Sequence, residues 1–130
     1  VHAHIRHIQT LLRLANDAGV TTYLHIFTDG RDTPPNSGAD FVRDLSALSK
    51  KLEHVHIATI SGRYYSMDRD QRWERLEKAY LAIVQATGPN FKNAVEAMEA
   101  SYEADITDEF LVPATIGTYK GLQDGDAILM

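Results

Sequence analysis

Residues 21–41 read TTYLHIFTDGRDTPPNSGADF, and this stretch contains a strand, a turn-rich loop and the beginning of a helix in succession. The β-branched and aromatic residues of 21–27 predict a buried strand. A glycine and two prolines then predict a loop over 28–36. Ser37 with Asp40 resembles a capping box, in which Asp replaces the usual Glu or Gln. The helix that would begin there buries four apolar side chains, Phe41, Leu45, Leu48 and Leu52.

Helices and strands also alternate on both sides of this stretch. Before it, apolar residues at spacings of three and four predict an amphipathic helix that ends at Gly19 and buries Ile5, Ile8, Leu11, Leu12 and Ala15. After it, residues 55–60 predict a second short strand. A third helix follows, and its periodicity predicts a buried face made of Trp73, Leu76, Tyr80 and Ile83.

The last third of the chain is less regular. Residues 88–90, Gly-Pro-Asn, end the third helix, and a fourth helix is predicted over 91–102. Residues 113–119 and 127–130 predict strands on either side of a turn over 121–125.

Strands separated by helices predict βαβ units. We therefore expect an α/β fold with a mostly parallel β-sheet, flanked by α-helices on both faces, and an antiparallel-looking C-terminal tail. Residues 1–130 would form a single domain. Because the chain starts at Val1 and stops in the apolar run 127–130, we expect it to be an excised fragment of a larger protein.

The composition excludes several classes of protein. Hydrophobic residues make up 44% of the 130 residues and charged residues 24%, which is typical of a globular chain. The net charge of −5 argues against a generally basic nucleic-acid binder. No cysteine is present to form a disulfide or bind an iron–sulfur cluster, and no apolar run reaches the roughly 18 residues of a membrane span. We expect a cytoplasmic protein with neither nucleic acid nor membrane as a partner.

A glycine followed by an arginine occurs at or just past the end of both predicted strands. Gly30-Arg31-Asp32 follows the first strand, Gly62-Arg63 follows the second, and Arg69 comes six residues later. Ligands of parallel sheets bind at the carboxyl ends of the strands, and clustered guanidinium groups match carboxylate or phosphate oxygens. The sequence thus predicts a site for an anionic small molecule. Structural ion pairs remain an alternative, with the partners Asp29, Asp32, Asp68 and Asp70.

Asp32 and the first histidines have alternative interpretations. Asp32 acts either as a general base towards a substrate hydroxyl or as a partner that holds Arg31.

His2, His4 and His7 form an H-x-H-x-x-H pattern that suits a metal hydrolase, but at the start of a helix His2 and His4 would point apart. We predict no metal site within this chain, and we expect His2 to donate to a bound anion.

Several stretches together carry a resemblance to a known family. They are His2-Ala3-His4, TDGRDTPPNSG at 28–38, SGRYYSMDRDQRWERLEKAY at 61–80 and ASYEADITDEFLVPATI at 100–116. These stretches resemble cofactor-independent phosphoglycerate mutase, and in particular its inserted phosphotransferase domain. The similarity extends over essentially the whole chain.

The resemblance implies an isomerase of glycolysis that interconverts 3-phosphoglycerate and 2-phosphoglycerate without needing 2,3-bisphosphoglycerate. A separate phosphatase-like domain would hold two manganese ions and a serine that becomes phosphorylated. Asp32 matches the family's proposed acid/base group, and the substrate-binding positions are matched by His2, Arg31, Arg63 and Arg69. Because the serine and the manganese ligands would lie outside this chain, we expect it to bind substrate and to be inactive alone. A standalone module that binds phosphorylated metabolites, or a metal-dependent hydrolase, remain alternatives.

Overall fold

The computed structural model describes residues 4–130, which form one α/β domain. Its elements in chain order are α1 (Ile5–Asp17), β1 (Thr22–Thr28), α2 (Gly38–Ser49), β2 (Val55–Gly62), α3 (Arg63–Ser66), α4 (Trp73–Gln85), β3 (Asn90–Phe91), α5 (Ala94–Glu103) and β4 (Ala114–Ile116). A 3₁₀ turn at Asp108–Phe110 precedes β4. Within the described part of the chain, no helix is long and apolar enough to cross a membrane.

The described residues build a four-stranded mixed sheet with the order β1-β2-β4-β3. β1 is parallel to β2, and their register runs from Thr22 opposite Val55 to Thr28 opposite Gly62. β4 is antiparallel to β2 and parallel to β3. The α/β class is confirmed, and the parallel β1–β2 pair brings the loops after both strands to one edge of the sheet.

Helices cover both faces of this sheet. On one face α1, α2 and α5 enclose the hydrophobic core, to which α2 contributes Val42 and α5 contributes Met98. α4 packs on β2 and β4 from the other face and buries Ala79 and Ala82, which lie outside that core cluster. Small side chains on α4 let its backbone approach the sheet closely.

The predicted buried faces of three helices are wrong in part. In α1, Leu11 is 51% exposed and Leu12, one position later, is buried, and in two other helices the aromatic positions are wrong. Phe41 is 46% exposed because α2 turns Val42, one position later, towards the core. Trp73 is 67% exposed and Tyr80 is 58% exposed, since α4 buries its alanines instead. Periodicity predicts how far apart the buried residues of a helix lie. It does not predict which side of the helix faces the sheet, which depends on the residues that fit against the neighbouring strands.

The C-terminal third also differs from the sequence prediction. Phe91 belongs to β3, and α5 begins only at Ala94, because the side chain of Asn93 accepts a hydrogen bond from the Glu96 N–H and caps the helix. Residues 127–130 form no strand and are exposed. The chain after β4 packs on the end of α4 instead, where the Tyr119 hydroxyl donates to the Ile83 carbonyl at 2.7 Å.

Candidate functional site

The site is built from the two loops that leave β1 and β2 at the same edge of the sheet. Thr28 and Gly62 are paired in the last register position of the two parallel strands. Asp29 follows directly after β1, and Arg63 begins α3 directly after β2. The predicted meeting of the two loops is therefore present, and it brings oppositely charged groups together.

Arg63 joins the two loops through a single nitrogen. Its Nη1 lies 2.5 Å from Asp29 Oδ1 and 2.6 Å from Asp32 Oδ2. The side chains of Arg63 and Asp29 are 17% and 24% exposed, whereas that of Asp32 is 46% exposed. In the chain by itself Arg63 thus makes the ion pairs of the structural alternative, and Asp32 forms the accessible side of this cluster.

The pKa values of Asp29 and Arg63 favour their charged forms. Burial alone raises the pKa of Asp29, but hydrogen bonds from the Arg63 side chain and from the Asp32 and Arg31 backbone outweigh it and bring that pKa below its usual value. The hydrogen bonds with Asp32 and then Asp29 raise the pKa of Arg63. At neutral pH Asp29 is ionised and Arg63 is protonated, so both contribute full charges.

Arg31 and Arg69 differ from Arg63 in having exposed side chains. Neither forms an ion pair with a residue of the described range 4–130. Asp68, a possible partner of these arginines, instead lies 3.8 Å from Arg75 and accepts from the Arg72 backbone N–H. The structure therefore does not join Arg69 to the Arg63 cluster, and both exposed guanidinium groups remain open to solvent.

Of the three histidines near the start of the chain, the structure describes His4 and His7. His2 lies outside the described residues. His4 is the N-cap of α1 and its Nδ1 accepts from the Arg6 N–H at 3.1 Å, while its ring centroid lies 5.9 Å from that of His7. Among residues 4–130, no group of three His, Cys, Asp or Glu side chains is arranged to hold a metal ion.

Asp108, which no sequence motif predicted, lies against the backbone of the first loop. It is fully buried, its Oδ2 accepts from the Gly38 N–H at 2.7 Å, and its Oδ1 accepts from the Tyr102 hydroxyl. Asp108 thereby takes the place of the predicted capping box, because Ser37 makes no side-chain capping bond and Asp40 pairs with Arg43 at 2.7 Å. A charged residue inside the mostly apolar stretch ITDEFLV is the sequence feature that could have indicated it.

A groove of about 370 Å³ opens between α1, β1 and α2. Asp29 and Thr33 of the first loop line one end of this groove, and His4 lines it from the start of α1. Apolar side chains such as Ile8 and Leu24 form much of the remaining wall. The groove thus extends from the charged edge of the sheet towards the N-terminus of α1.

The fold and this edge define an α/β domain that carries arginines and carboxylates where a parallel strand pair ends. A family model described as "BPG-independent PGAM N-terminus" matches residues 1–130. The chain therefore belongs to the 2,3-bisphosphoglycerate-independent phosphoglycerate mutase family and corresponds to the N-terminal region that this model describes.

Individual relatives agree with this assignment. The chain is 50% identical over 129 residues to the 2,3-bisphosphoglycerate-independent phosphoglycerate mutase of Gluconobacter oxydans and 51% identical over 130 residues to that of Rhodopseudomonas palustris. Each alignment covers 99% of this chain and 25% of the relative. A crystal structure of Leishmania mexicana phosphoglycerate mutase matches with a TM-score of 0.90 and 29% identity, over 98% of this chain and 26% of that protein. The chain spans about a quarter of the length of these relatives.

Proposed function

We propose that this chain is the substrate-binding part of an enzyme that interconverts 3-phosphoglycerate and 2-phosphoglycerate without 2,3-bisphosphoglycerate, in the cytoplasm. Its membership of the family supports this proposal. The observation that carries it is the placement of Arg63 between Asp29 and Asp32 at the sheet edge where ligands of parallel sheets bind. A small anion with hydroxyl groups matches both the cationic and the carboxylate parts of that edge.

Arg63 retains donors for a ligand. Its contacts with the two carboxylates use Nη1, and within residues 4–130 neither Nε nor Nη2 has a hydrogen-bond partner. A guanidinium group offers five N–H donors in a planar fork, so the remaining ones match the carboxylate or phosphate oxygens of a phosphoglycerate. Arg31 adds accessible positive charge on the first loop and Arg69 on the segment between α3 and α4, and His2 is proposed as a further donor.

Asp32 is the proposed acid/base group. Its Oδ2 is engaged by Arg63, which orients the carboxylate and leaves Oδ1 available for a substrate hydroxyl. Such a carboxylate can accept the proton of a glycerate hydroxyl and return a proton to the other hydroxyl. Asp29 differs, because its Oδ1 also accepts from the backbone and its Oδ2 is buried. We therefore assign proton transfer to Asp32 and orientation of Arg63 to Asp29.

The described residues do not fit the two manganese ions that the family resemblance implies, since they contain no metal-ligating group of three side chains. We propose that the manganese ligands and the phosphorylated serine lie in a phosphatase-like domain elsewhere in the parent polypeptide. This chain would then bind and orient the glycerate, and it would be inactive alone.

The binding part of the proposal is tested by an NMR titration of this chain with 3-phosphoglycerate. We expect saturable shifts at Arg31, Asp32 and Arg63 in the wild-type chain and their loss in Arg63→Ala. Arg13→Ala is the matched control, because Arg13 is an exposed arginine on α1, outside both loops. Equal titration of the Arg63→Ala and Arg13→Ala variants would contradict the assigned site.

The catalytic part is tested in the parent polypeptide by following conversion of 3-phosphoglycerate to 2-phosphoglycerate. Activity should be lost in Arg63→Ala and kept in Arg13→Ala, and this chain by itself should show no turnover. Turnover by the isolated chain, or full activity of Arg63→Ala, would overturn the proposed division of roles.

A further inference from the structure

We propose that Asp108 is a positioning residue that holds the loop carrying Asp29 and Asp32 in register with Arg63. This inference rests on the proposed function, because it assigns Asp108 to the same site. Asp108 touches none of the proposed ligand-binding groups through its side chain, so it would act through the backbone of the loop that bears them.

Asp108 is hydrogen-bonded to the first loop at three separate points. The Thr28 hydroxyl donates to the Asp108 carbonyl at 2.6 Å, and the Asp108 N–H donates to the Pro35 carbonyl at 2.9 Å. The third bond joins the Gly38 N–H to Oδ2 at 2.7 Å. These points lie at the beginning, near the end and just beyond the loop, so one buried residue fixes the path of the chain around Asp29 and Asp32.

The residues next to Asp108 fix the second loop in the same way. The Gly62 N–H donates to the Leu111 carbonyl at 2.7 Å. A Cβ atom on Gly62 would lie 2.2 Å from the Glu109 carbonyl oxygen, so no side chain fits between the two backbones there. Because Arg63 follows Gly62 directly, the turn at 108–111 sets how far Arg63 stands from the first loop.

The carboxylate itself is needed for this arrangement because it supplies two acceptors in a buried place. Oδ2 accepts from Gly38 at the N-terminus of α2, where a negative charge is favourable. Oδ1 accepts from Tyr102, and burial followed by the bond to Asp108 raises the pKa of that phenol, which therefore keeps its proton to donate. An asparagine has the same shape but only one carbonyl acceptor, so it cannot accept from both Gly38 and Tyr102.

The test compares three variants of the parent enzyme, Asp108→Asn, Tyr102→Phe and a control, Val55→Ala. Val55 is buried at the opposite end of β2 from Gly62, so its truncation lowers stability without touching either loop. We expect Asp108→Asn to reduce kcat about 10- to 100-fold, the effect of misplacing reacting groups by about 1 Å. Tyr102→Phe should reduce kcat less, and Val55→Ala should lower the Tm while leaving kcat within about twofold.

A double mutant separates positioning from a general loss of stability. If Asp108 acts by placing Asp32, then Asp108→Asn should cost much less kcat in an Asp32→Asn background than in the wild type. The proposal is overturned if the two losses multiply fully, or if Asp108→Asn changes only the Tm.

Failure of the proposed function can be told apart from failure of this inference. If the wild-type parent enzyme has no mutase activity, the contact between Arg63 and Asp32 can be followed by NMR in this chain. The hydrogen bond should slow solvent exchange of the Arg63 guanidinium N–H protons and make their resonances visible. Those resonances should persist in Val55→Ala and disappear in Asp108→Asn. Their persistence in Asp108→Asn would refute the positioning role whatever the enzyme's reaction is.

Discussion

Arg63 Nη1 donates to Asp32 Oδ2 at 2.6 Å, across 31 residues of sequence and between the ends of two parallel strands. The same nitrogen also donates to Asp29. One guanidinium nitrogen thus contacts two carboxylates, and within residues 4–130 the rest of the fork has no hydrogen-bond partner, which leaves both the arginine and Asp32 available to a ligand.

Replacing Arg63 by lysine tests the importance of the planar fork. A lysine ammonium keeps the charge but cannot contact both aspartates and a ligand in one plane. Arg63→Lys should weaken 3-phosphoglycerate binding by about 1.5–3 kcal/mol, the contribution of one charge-assisted hydrogen bond. Titration calorimetry of the parent enzyme measures this change, and Arg13→Lys serves as the control. Unchanged affinity would show that Arg63 only pairs with Asp29 and Asp32.

Asp32→Asn separates proton transfer from binding. An asparagine can still accept from Arg63 but cannot take up a hydroxyl proton. In the parent enzyme, kcat should therefore fall about 10²- to 10⁴-fold, the usual contribution of a general base, while KM changes little. Steady-state kinetics check this expectation. A loss confined to KM would instead make Asp32 a positioning residue for Arg63.

The lowered pKa of Asp29 makes the stability of the domain sensitive to acid. The pKa of this carboxyl is lower in the folded than in the unfolded chain. Its ionised form therefore contributes fully to the free energy of unfolding above the unfolded pKa of about 3.9. The contribution is lost as the pH falls from there through the folded pKa. Asp29→Asn should therefore flatten the fall in unfolding free energy below about pH 4. Urea denaturation at several pH values measures this slope.

Asp44→Asn is the matched control for that experiment, since Asp44 is exposed on α2 and forms no ion pair within residues 4–130. Its slope should match that of the wild type. An Asp29→Asn slope that also matches the wild type would mean that the ion pair with Arg63 contributes no pH-dependent stability.

Gly62→Ala tests how tightly the turn at 108–111 packs on the second loop. The backbone of Gly62 has a φ of −70°, which any residue adopts, but its new Cβ would overlap the Glu109 carbonyl group. Overpacking of this kind should cost about 3 kcal/mol. Gly19→Ala, in open space at a φ of +69°, should cost only about 1–2 kcal/mol of backbone strain. Equal losses in urea denaturation would show that the turn yields easily.

The part of the site that follows from local sequence was predictable. Gly30-Arg31-Asp32 and Gly62-Arg63 come after recognisable strands, and parallel strands end at a common edge, so their meeting could be inferred. Arg69 was predicted on the same spacing, yet it lies in the segment between α3 and α4 and joins no described member of the cluster. Spacing along a loop does not fix where an exposed side chain points.

Asp108 could not be placed in the same way. Its partners Gly38, Tyr102 and Thr28 lie 70, 6 and 80 residues away in the chain. No helical or strand period connects these positions. A buried carboxylate is tolerated only where folding brings donors to it, so its role depends on contacts that a linear pattern does not contain.

The amino-acid sequence by itself determined the alternation of helices and strands, the α/β class and the two loops that bear the charged groups, because these follow from local periodicity and turn chemistry. The tertiary structure decided which face each helix buries, that 127–130 forms no strand, and that Asp108 caps α2 in place of Ser37. The physical reason is that burial and hydrogen bonding between distant residues depend on which surfaces meet. Only the packed sheet and its covering helices bring those surfaces together.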